Sequence, residues 1–130
     1  MKANELMIGD WVQFPMGYEK VQEIGFVQGH GYCASFAASA TLFPVEIDKI
    51  EPIPLTAEIL EKNGFVNGEE VWAANCPEDK NLLLEITWDD TRKVAAWSIN
   101  CNEYCVLELH YVHELQHALR LCGIDKNIVL

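Results

Sequence analysis

The segment from Tyr111 to Cys122 carries one apolar stripe at helical spacing, and Gly123 follows it. An α-helix advances about 100° per residue, so the apolar side chains of this segment fall on one face. They are Val112, Leu115, Ala118, Leu119 and Cys122. Glycine often ends a helix because it adopts a positive φ without strain. The sequence therefore predicts a helix from Tyr111 to Cys122 whose apolar face is buried.

The other face of this predicted helix is polar. By the same angular count, His113 and His117 point away from the apolar stripe. The polar face of an amphipathic helix is usually exposed to solvent. We therefore predict a candidate interaction surface formed by His113, Gln116, His117 and Arg120.

Short strand patterns separated by glycine turns occupy the first fifty residues. Apolar residues alternate with other residues in the third pattern, which is typical of a strand with one buried face. That pattern consists of Tyr32, Ala34, Phe36 and Ala38. Further strands are predicted at Trp11–Phe14, at Lys20–Phe26, with Phe26 as an apolar member, and around Val45–Ile50. Short strands with glycine turns indicate a small curled sheet or SH3-like barrel.

The rest of the chain contains one short helix pattern and a series of strands. The proline-containing segment Glu51–Leu55 is stiff and is predicted to be a connection. Thr56 is expected to cap a helix from Ala57 to Asn63, which Gly64 ends. Strands are then predicted at Val71–Ala74, Leu82–Trp88, Lys93–Ile99 and Tyr104–Leu109.

These elements predict an α+β fold. It consists of a small N-terminal SH3-like β-lobe, a short connecting helix, and an antiparallel sheet covered by the C-terminal helix. The length fits a single compact domain over residues 1–130, or two lobes covering residues 1–52 and 53–130.

The predicted C-terminal helix also contains the string H-E-x-x-H, at His113, Glu114 and His117. In zinc hydrolases the two histidines of this string bind Zn²⁺ and the glutamate is the general base. A catalytic zinc site needs a third protein ligand, and His110 lies on the same side of the helix by angle. The extended pattern with a further Gly and His is absent, since Arg120 and Gly123 occupy those positions. We therefore predict that the protein binds no zinc and is not an enzyme, with the zinc site as the alternative.

Charge and composition restrict the partners. The formal net charge is −11, and residues 1–70 carry four Lys or Arg against eleven Asp or Glu. Such a surface disfavours binding to nucleic-acid phosphates and to anionic membranes, and it suits a partner with a basic surface. We see no signal peptide and no apolar run of the roughly 20 residues that span a bilayer. The odd count of five cysteines fits a reducing compartment, so we expect a cytoplasmic protein.

Three blocks of the sequence resemble a family of small proteins from gut Bacteroidetes and their phage-like elements. The blocks are Lys2–Leu6 with Ile8–Val12, Ile50–Thr56 with Lys62–Phe65, and Tyr111–His113 with Leu115–Gln116 and Ala118–Leu119. They lie at both ends and in the middle of the chain. The family has no assigned activity. The resemblance therefore implies a phage-like or mobile-element context but no particular biochemical activity. Its pattern does not call for a histidine at His117, and it points to Tyr111, His113 and Gln116 as a structural or binding set.

Three functions from different classes stay open on the sequence. The first is a non-enzymatic accessory protein of a phage-like or mobile element that binds another protein. The second is a zinc-dependent hydrolase that uses Glu114 as the base. The third is an acidic mimic of nucleic acid, which requires carboxylates aligned on one face, and the charges here are spread evenly. The sequence does not fix the oligomeric state.

Overall fold

The computed structural model describes residues 1–14, 17–36, 44–68, 71–75, 82–88, 93–99, 102–121 and 123–130, with the backbone alone for residues 66–107. It divides into two compact units, Met1–Ile53 and Pro54–Leu130, called the first and the second unit below. Ala38 and Cys122, which the sequence assigns to a strand and a helix, lie outside the described residues.

The first unit is an antiparallel five-stranded sheet. Its strands are β1 (Trp11–Phe14), β2 (Gly17–Val27), β3 (Gly31–Phe36), β4 (Val45–Glu46) and β5 (Glu51–Pro52). They are arranged in the order β4-β3-β2-β1-β5. Two 3-10 helices, Ala3–Glu5 and Ile47–Lys49, complete the unit. The predicted connection Glu51–Leu55 contains the boundary between the two units, and its residues Glu51 and Pro52 also pair with β1.

Side chains of this sheet and of the segments next to it form the core of the first unit. The buried cluster consists of Leu6, Val12, Val21, Ala34, Phe36, Ile47 and Ile50, and Ile24 packs against it. A bulge between Val21 and Glu23 shifts the pairing of β2 with β3. A bulge bends and twists the strand that carries it. The described residues show no pairing between the edge strands β4 and β5, so the SH3-like barrel stays a prediction.

The second unit begins with the helix α1 (Ala57–Lys62). The Thr56 hydroxyl accepts a hydrogen bond from the Ile59 N–H at 3.3 Å, which confirms the predicted N-cap. Gly64 has a φ of 77°. The N–H of Gly64 donates to the Glu61 carbonyl, and the N–H of Phe65 donates to the Leu60 carbonyl. These two bonds form a Schellman motif, which ends the helix where the sequence predicts.

A meander and a second helix follow α1. The strands are β6 (Val66–Gly68), β7 (Val71–Asn75), β8 (Leu82–Trp88), β9 (Lys93–Ile99) and β10 (Asn102–Glu108). Each pairs antiparallel with the next, in the order β10-β9-β8-β7-β6. The helix α2 (Val112–Leu121) comes last, and Gly123 ends it with a φ of 69°. The predicted α+β class is therefore confirmed. Among the described residues, no helix combines the length and the apolar character that crossing a membrane would need.

The last residues of the chain are held against the end of α1. The Asn63 amide donates to the Val129 carbonyl at 2.8 Å, and the Asn63 carbonyl oxygen accepts from the Val129 N–H at 2.8 Å. The Lys62 ammonium donates to the Leu130 carbonyl, and Ile128 is buried. The Asn63 side chain thus binds this segment as a neighbouring strand would.

Candidate functional site

The polar residues of α2 do not form the predicted exposed surface. His113 is 4 % exposed and Gln116 is 8 % exposed, whereas His117 is half-buried and Arg120 is exposed. The prediction of an outward face is therefore wrong for His113 and Gln116. Apolar spacing locates the centre of a buried helix face, but it does not show how far the buried arc extends into polar positions.

His113 is packed between two other rings of the second unit. Its ring stacks on Tyr111 with a centroid distance of 5.8 Å and an interplanar angle of 11°. The His117 ring meets it edge-on at 5.6 Å. Tyr111 is held in turn by an isolated antiparallel bridge to Pro54. These ring contacts make His113 part of the packing around the start of α2.

Glu114 holds the N-terminus of α2. Its Oε2 atom accepts hydrogen bonds from the N–H groups of His110 at 2.6 Å and of Tyr111 at 3.0 Å. The first N–H groups of a helix have no partner inside the helix, and a carboxylate in the first turn satisfies them and suits the helix dipole. The carboxylate of the H-E-x-x-H string therefore has a structural role here.

The histidines of α2 are not joined by a third metal ligand within the described residues. Those residues contain no group of three His, Cys, Asp or Glu side chains that could hold a metal ion. His110, the third ligand of the zinc alternative, lies with its Nε2 atom 3.5 Å from the Glu108 carboxylate. Glu114, the base of the zinc alternative, caps the helix, and the described residues place no third ligand beside His113 and His117.

Among the described residues of the first unit, the two most exposed aromatic side chains lie side by side on the β2–β3 hairpin. Phe26 is 69 % exposed and Tyr32 is 56 % exposed. Their rings meet edge to face, with centroids 5.5 Å apart. We call these two residues the aromatic pair. Single exposed apolar residues are common on proteins, but two that touch each other form a patch.

The pairing of the two strands explains how this patch arises. Val21 is opposite Phe36, Ile24 is opposite Ala34, and Phe26 is opposite Tyr32. Alternate residues of a strand share a face, so the Ile24–Ala34 pair and the aromatic pair lie on the same side of the hairpin. Ala34 is in the core and Ile24 packs against it. The apolar face of the hairpin therefore continues one cross-strand pair beyond the core.

The opposite face of the hairpin contains a cleft of about 200 Å³. Its lining includes Glu23, Gly25, Val27, Cys33 and Ser35, with Phe26 at its side. A second cleft of about 400 Å³ lies at the other end of β2, lined by Gln13, Phe14, Gly17, Tyr18, Lys49 and Glu51.

A small charged cluster fixes the turn of the hairpin to β4. Glu46 lies 2.6 Å from the Lys49 ammonium and 2.8 Å from the His30 Nδ1 atom. Hydrogen bonds from Lys49 and His30 hold the pKa of the Glu46 carboxyl below its usual range. The Glu46 carboxylate in turn raises the pKa of Lys49. The cluster links the hairpin turn at His30 to β4 and to the 3-10 helix that follows it.

The alternation of apolar residues does not single out the aromatic pair, because it places Phe26 and Tyr32 on apolar strand faces and Tyr32 on a buried one. Exposure corrects that assignment for Tyr32. The available signal was the position of both residues next to the turn that contains Gly29 and Gly31. These residues lie at the turn end of the hairpin, where side chains are farthest from the core of a small sheet.

Comparison with protein-family models, with curated proteins and with solved structures finds no match to this chain.

Proposed function

We propose that the chain is a non-enzymatic protein-binding protein that holds a partner with a basic surface through the aromatic pair. The supporting observation is that the apolar face of the β2–β3 hairpin continues beyond the core, where Phe26 and Tyr32 are exposed. The resemblance to proteins of phage-like elements supplies the setting in which we would look for the partner, namely the cytoplasm of the host cell.

Aromatic residues at a surface favour this function on energetic grounds. Interface cores are enriched in Phe and Tyr, and a few such residues carry most of the binding energy. Removing the exposed part of the two rings from water would contribute roughly 2–4 kcal/mol before the entropic cost of association, since both side chains are already partly buried. The hairpin also holds the two rings in place, which lowers the cost of ordering them.

The charge of the chain selects the kind of partner. The whole chain has a formal net charge of −11, and the first unit carries seven Asp or Glu and three Lys. Charges of one sign attract an oppositely charged surface over a Debye length of about 8 Å in physiological salt and repel a like one. A basic protein surface therefore fits the aromatic pair and its surroundings.

A site-specific crosslink tests the proposal. A photo-crosslinking phenylalanine analogue replaces Phe26 in one version of the protein and Leu121 in another, and both are irradiated in the native host. Leu121 is 73 % exposed on α2 and is the matched control. We expect the analogue at position 26 to crosslink a protein with an excess of Lys and Arg that the analogue at position 121 does not.

The partner that the crosslink identifies is then purified by itself and serves as the ligand in a titration. Changing Phe26 and Tyr32 together to Ala should weaken its binding by at least about tenfold, since hot-spot residues cost over 1 kcal/mol each. Tyr18→Ala, which removes an exposed aromatic from the other end of β2, should change the Kd by less than about twofold. Equal crosslinking at both positions, or an unchanged Kd for the double variant, would show that the aromatic pair is not the docking surface.

A further inference from the structure

We infer, building on the proposed function, that the cleft on the opposite face of the β2–β3 hairpin holds one lysine or arginine side chain of the basic partner. We call it the Gly25 cleft, defined by its lining residues Glu23, Gly25, Phe26, Val27, Cys33, Ser35 and Pro44. It lies beside the aromatic pair, because Phe26 belongs to both.

Small residues on both strands create the cleft. Gly25 is directly opposite Cys33, and Val27 is directly opposite Gly31. A Cβ atom added to Gly25 would meet no other atom of the described residues within 4 Å. The space above the backbone at Gly25 is therefore the empty volume of the cleft, and a side chain from outside can reach the strand there.

The lining matches the two parts of a long basic side chain. Lysine and arginine combine an apolar stem with a charged head. Val27 and Cys33, on the same face of the hairpin as Gly25, offer apolar contact to the stem. Glu23, which is exposed at the same cleft, offers a carboxylate to the head. Within the described part of the chain, Glu23 forms no ion pair that would compete for this role.

The size of the cleft favours one side chain over a small-molecule ligand. Sites for drug-sized ligands are typically about 300–1,000 Å³ and enclose most of the ligand. The Gly25 cleft has about 200 Å³, which suits a single extended side chain. The net charge of −11 favours a cation in this position over an anion.

Titration with amino-acid derivatives tests the inference without knowledge of the partner. The probes are Nα-acetyl-lysine methylamide, the corresponding arginine derivative, and the norleucine derivative, which has the lysine stem without the ammonium. Binding to the full ¹⁵N-labelled chain is followed by the amide shifts of Gly25, Val27 and Ser35. We expect saturable shifts with a Kd of about 1 mM or weaker for the basic probes. The norleucine derivative should bind about two- to fivefold more weakly, because an exposed ion pair contributes little.

Two variants separate filling of the cleft from loss of its charge. Gly25→Val should abolish the shifts, since the added side chain occupies the cleft. Valine suits a strand, and Gly25 does not have the positive φ that would strain it. Glu23→Gln keeps the shape of the cleft. It should weaken the affinity for the basic probes about two- to fivefold and leave the affinity for the norleucine derivative unchanged. Equal affinities for lysine and norleucine derivatives, unchanged shifts in Gly25→Val, or no shifts at these amides with any probe would each overturn the inference.

Failure of this inference can be told apart from failure of the proposed function. Tyr32 belongs to the aromatic pair and does not line the Gly25 cleft. Tyr32→Ala should therefore weaken binding of the partner that the crosslink identifies and leave binding of the lysine probe unchanged. If Gly25→Val binds that partner as tightly as the wild type while Tyr32→Ala does not, the cleft is unused and the aromatic pair still docks the partner.

Discussion

Asn63 and Glu114 hold backbone groups of the second unit that regular secondary structure leaves unpaired. Asn63 also donates to the Ile59 carbonyl at 2.7 Å, so its amide serves both the end of α1 and the segment around Val129. Glu114 serves the N–H groups before α2. The bonds of Asn63 are partly buried, and a backbone group that loses its partner away from water costs about 1–3 kcal/mol, so Asn63 contributes more than its size suggests.

Asn63→Ala should release the last residues of the chain. The Val129 N–H loses its acceptor, and its hydrogen exchange with solvent should accelerate by about 5- to 150-fold, the range that corresponds to about 1–3 kcal/mol. Asn4→Ala, at an exposed position of the first unit, is the control and should leave the Val129 rate unchanged. A Val129 rate equal to that of the wild type would contradict the role assigned to Asn63.

Glu114→Ala should lower the free energy of unfolding of the second unit by about 0.5–2 kcal/mol, as the loss of a helix cap does. Glu114→Gln keeps an acceptor oxygen and should cost less, because it loses only the favourable charge at the helix N-terminus. Urea unfolding measures both, with Glu61→Ala on the exposed side of α1 as the control. If Glu114→Ala unfolds at the same urea concentration as the wild type, the hydrogen bonds to His110 and Tyr111 are not stabilising.

Residue positions near the edge of a buried face are the ones that sequence patterns assign incorrectly. Val112, Leu115 and Leu119 are buried as their spacing predicts. His113 and Gln116 are buried beside them although they are polar, and Tyr32 is exposed although it is apolar. Whether these three side chains are buried depends on the tertiary contacts that they make. The periodicity of apolar residues along the chain does not predict those contacts.

At the scale of elements, strong patterns were predicted and weak ones were missed. β8 and β9 have the predicted bounds, and the glycines after α1 and α2 end those helices as expected. β5 and β6 were missed because each has only two or three residues, with Pro52 in one and Gly68 in the other. Such short strands form because a neighbouring strand offers hydrogen bonds, and that neighbour is distant in the sequence for β5.

The charged cluster that joins the hairpin turn to β4 predicts a defined pH response. The lowered pKa of Glu46 means that its contribution to stability is present above its ordinary value of 4.5 and disappears as pH falls through the lowered value. The raised pKa of Lys49 means that its contribution is present below its ordinary value of 10.5 and disappears as pH rises through the raised one. The first unit should therefore gain from this pair over a broad plateau between these limits.

Glu46→Gln should remove the stability that the Glu46–Lys49 pair contributes over this pH range. The difference in urea midpoint between wild type and Glu46→Gln should be constant from about pH 5 to pH 10, shrink as pH falls below 4.5, and disappear once pH has passed through the lowered pKa of Glu46. Glu23→Gln is the control, since Glu23 has no ion pair among the described residues, and its difference should not follow this curve. A difference for Glu46→Gln that persists unchanged at pH 3 would mean that the hydrogen bonds do not depend on the charge.

For the whole molecule, the net charge of −11 predicts how fast the partner binds. Raising the salt concentration from about 0.05 to 0.5 M should lower the association rate constant by about tenfold or more and leave the dissociation rate nearly unchanged. Stopped-flow mixing of the chain with the purified partner, as identified by the crosslink, measures the association and the dissociation rate constants. An association rate that is independent of salt would argue against a basic partner surface.

The extension of the β2–β3 hairpin beyond its core has an evolutionary consequence. An exposed cross-strand aromatic pair contributes only about 0.2–1 kcal/mol to folding. Substitutions of Phe26 and Tyr32 therefore leave the fold nearly as stable as before, while they alter the surface that a partner meets. A lineage can drift through many side chains at these two positions and acquire a new partner without first acquiring a compensating mutation in the core.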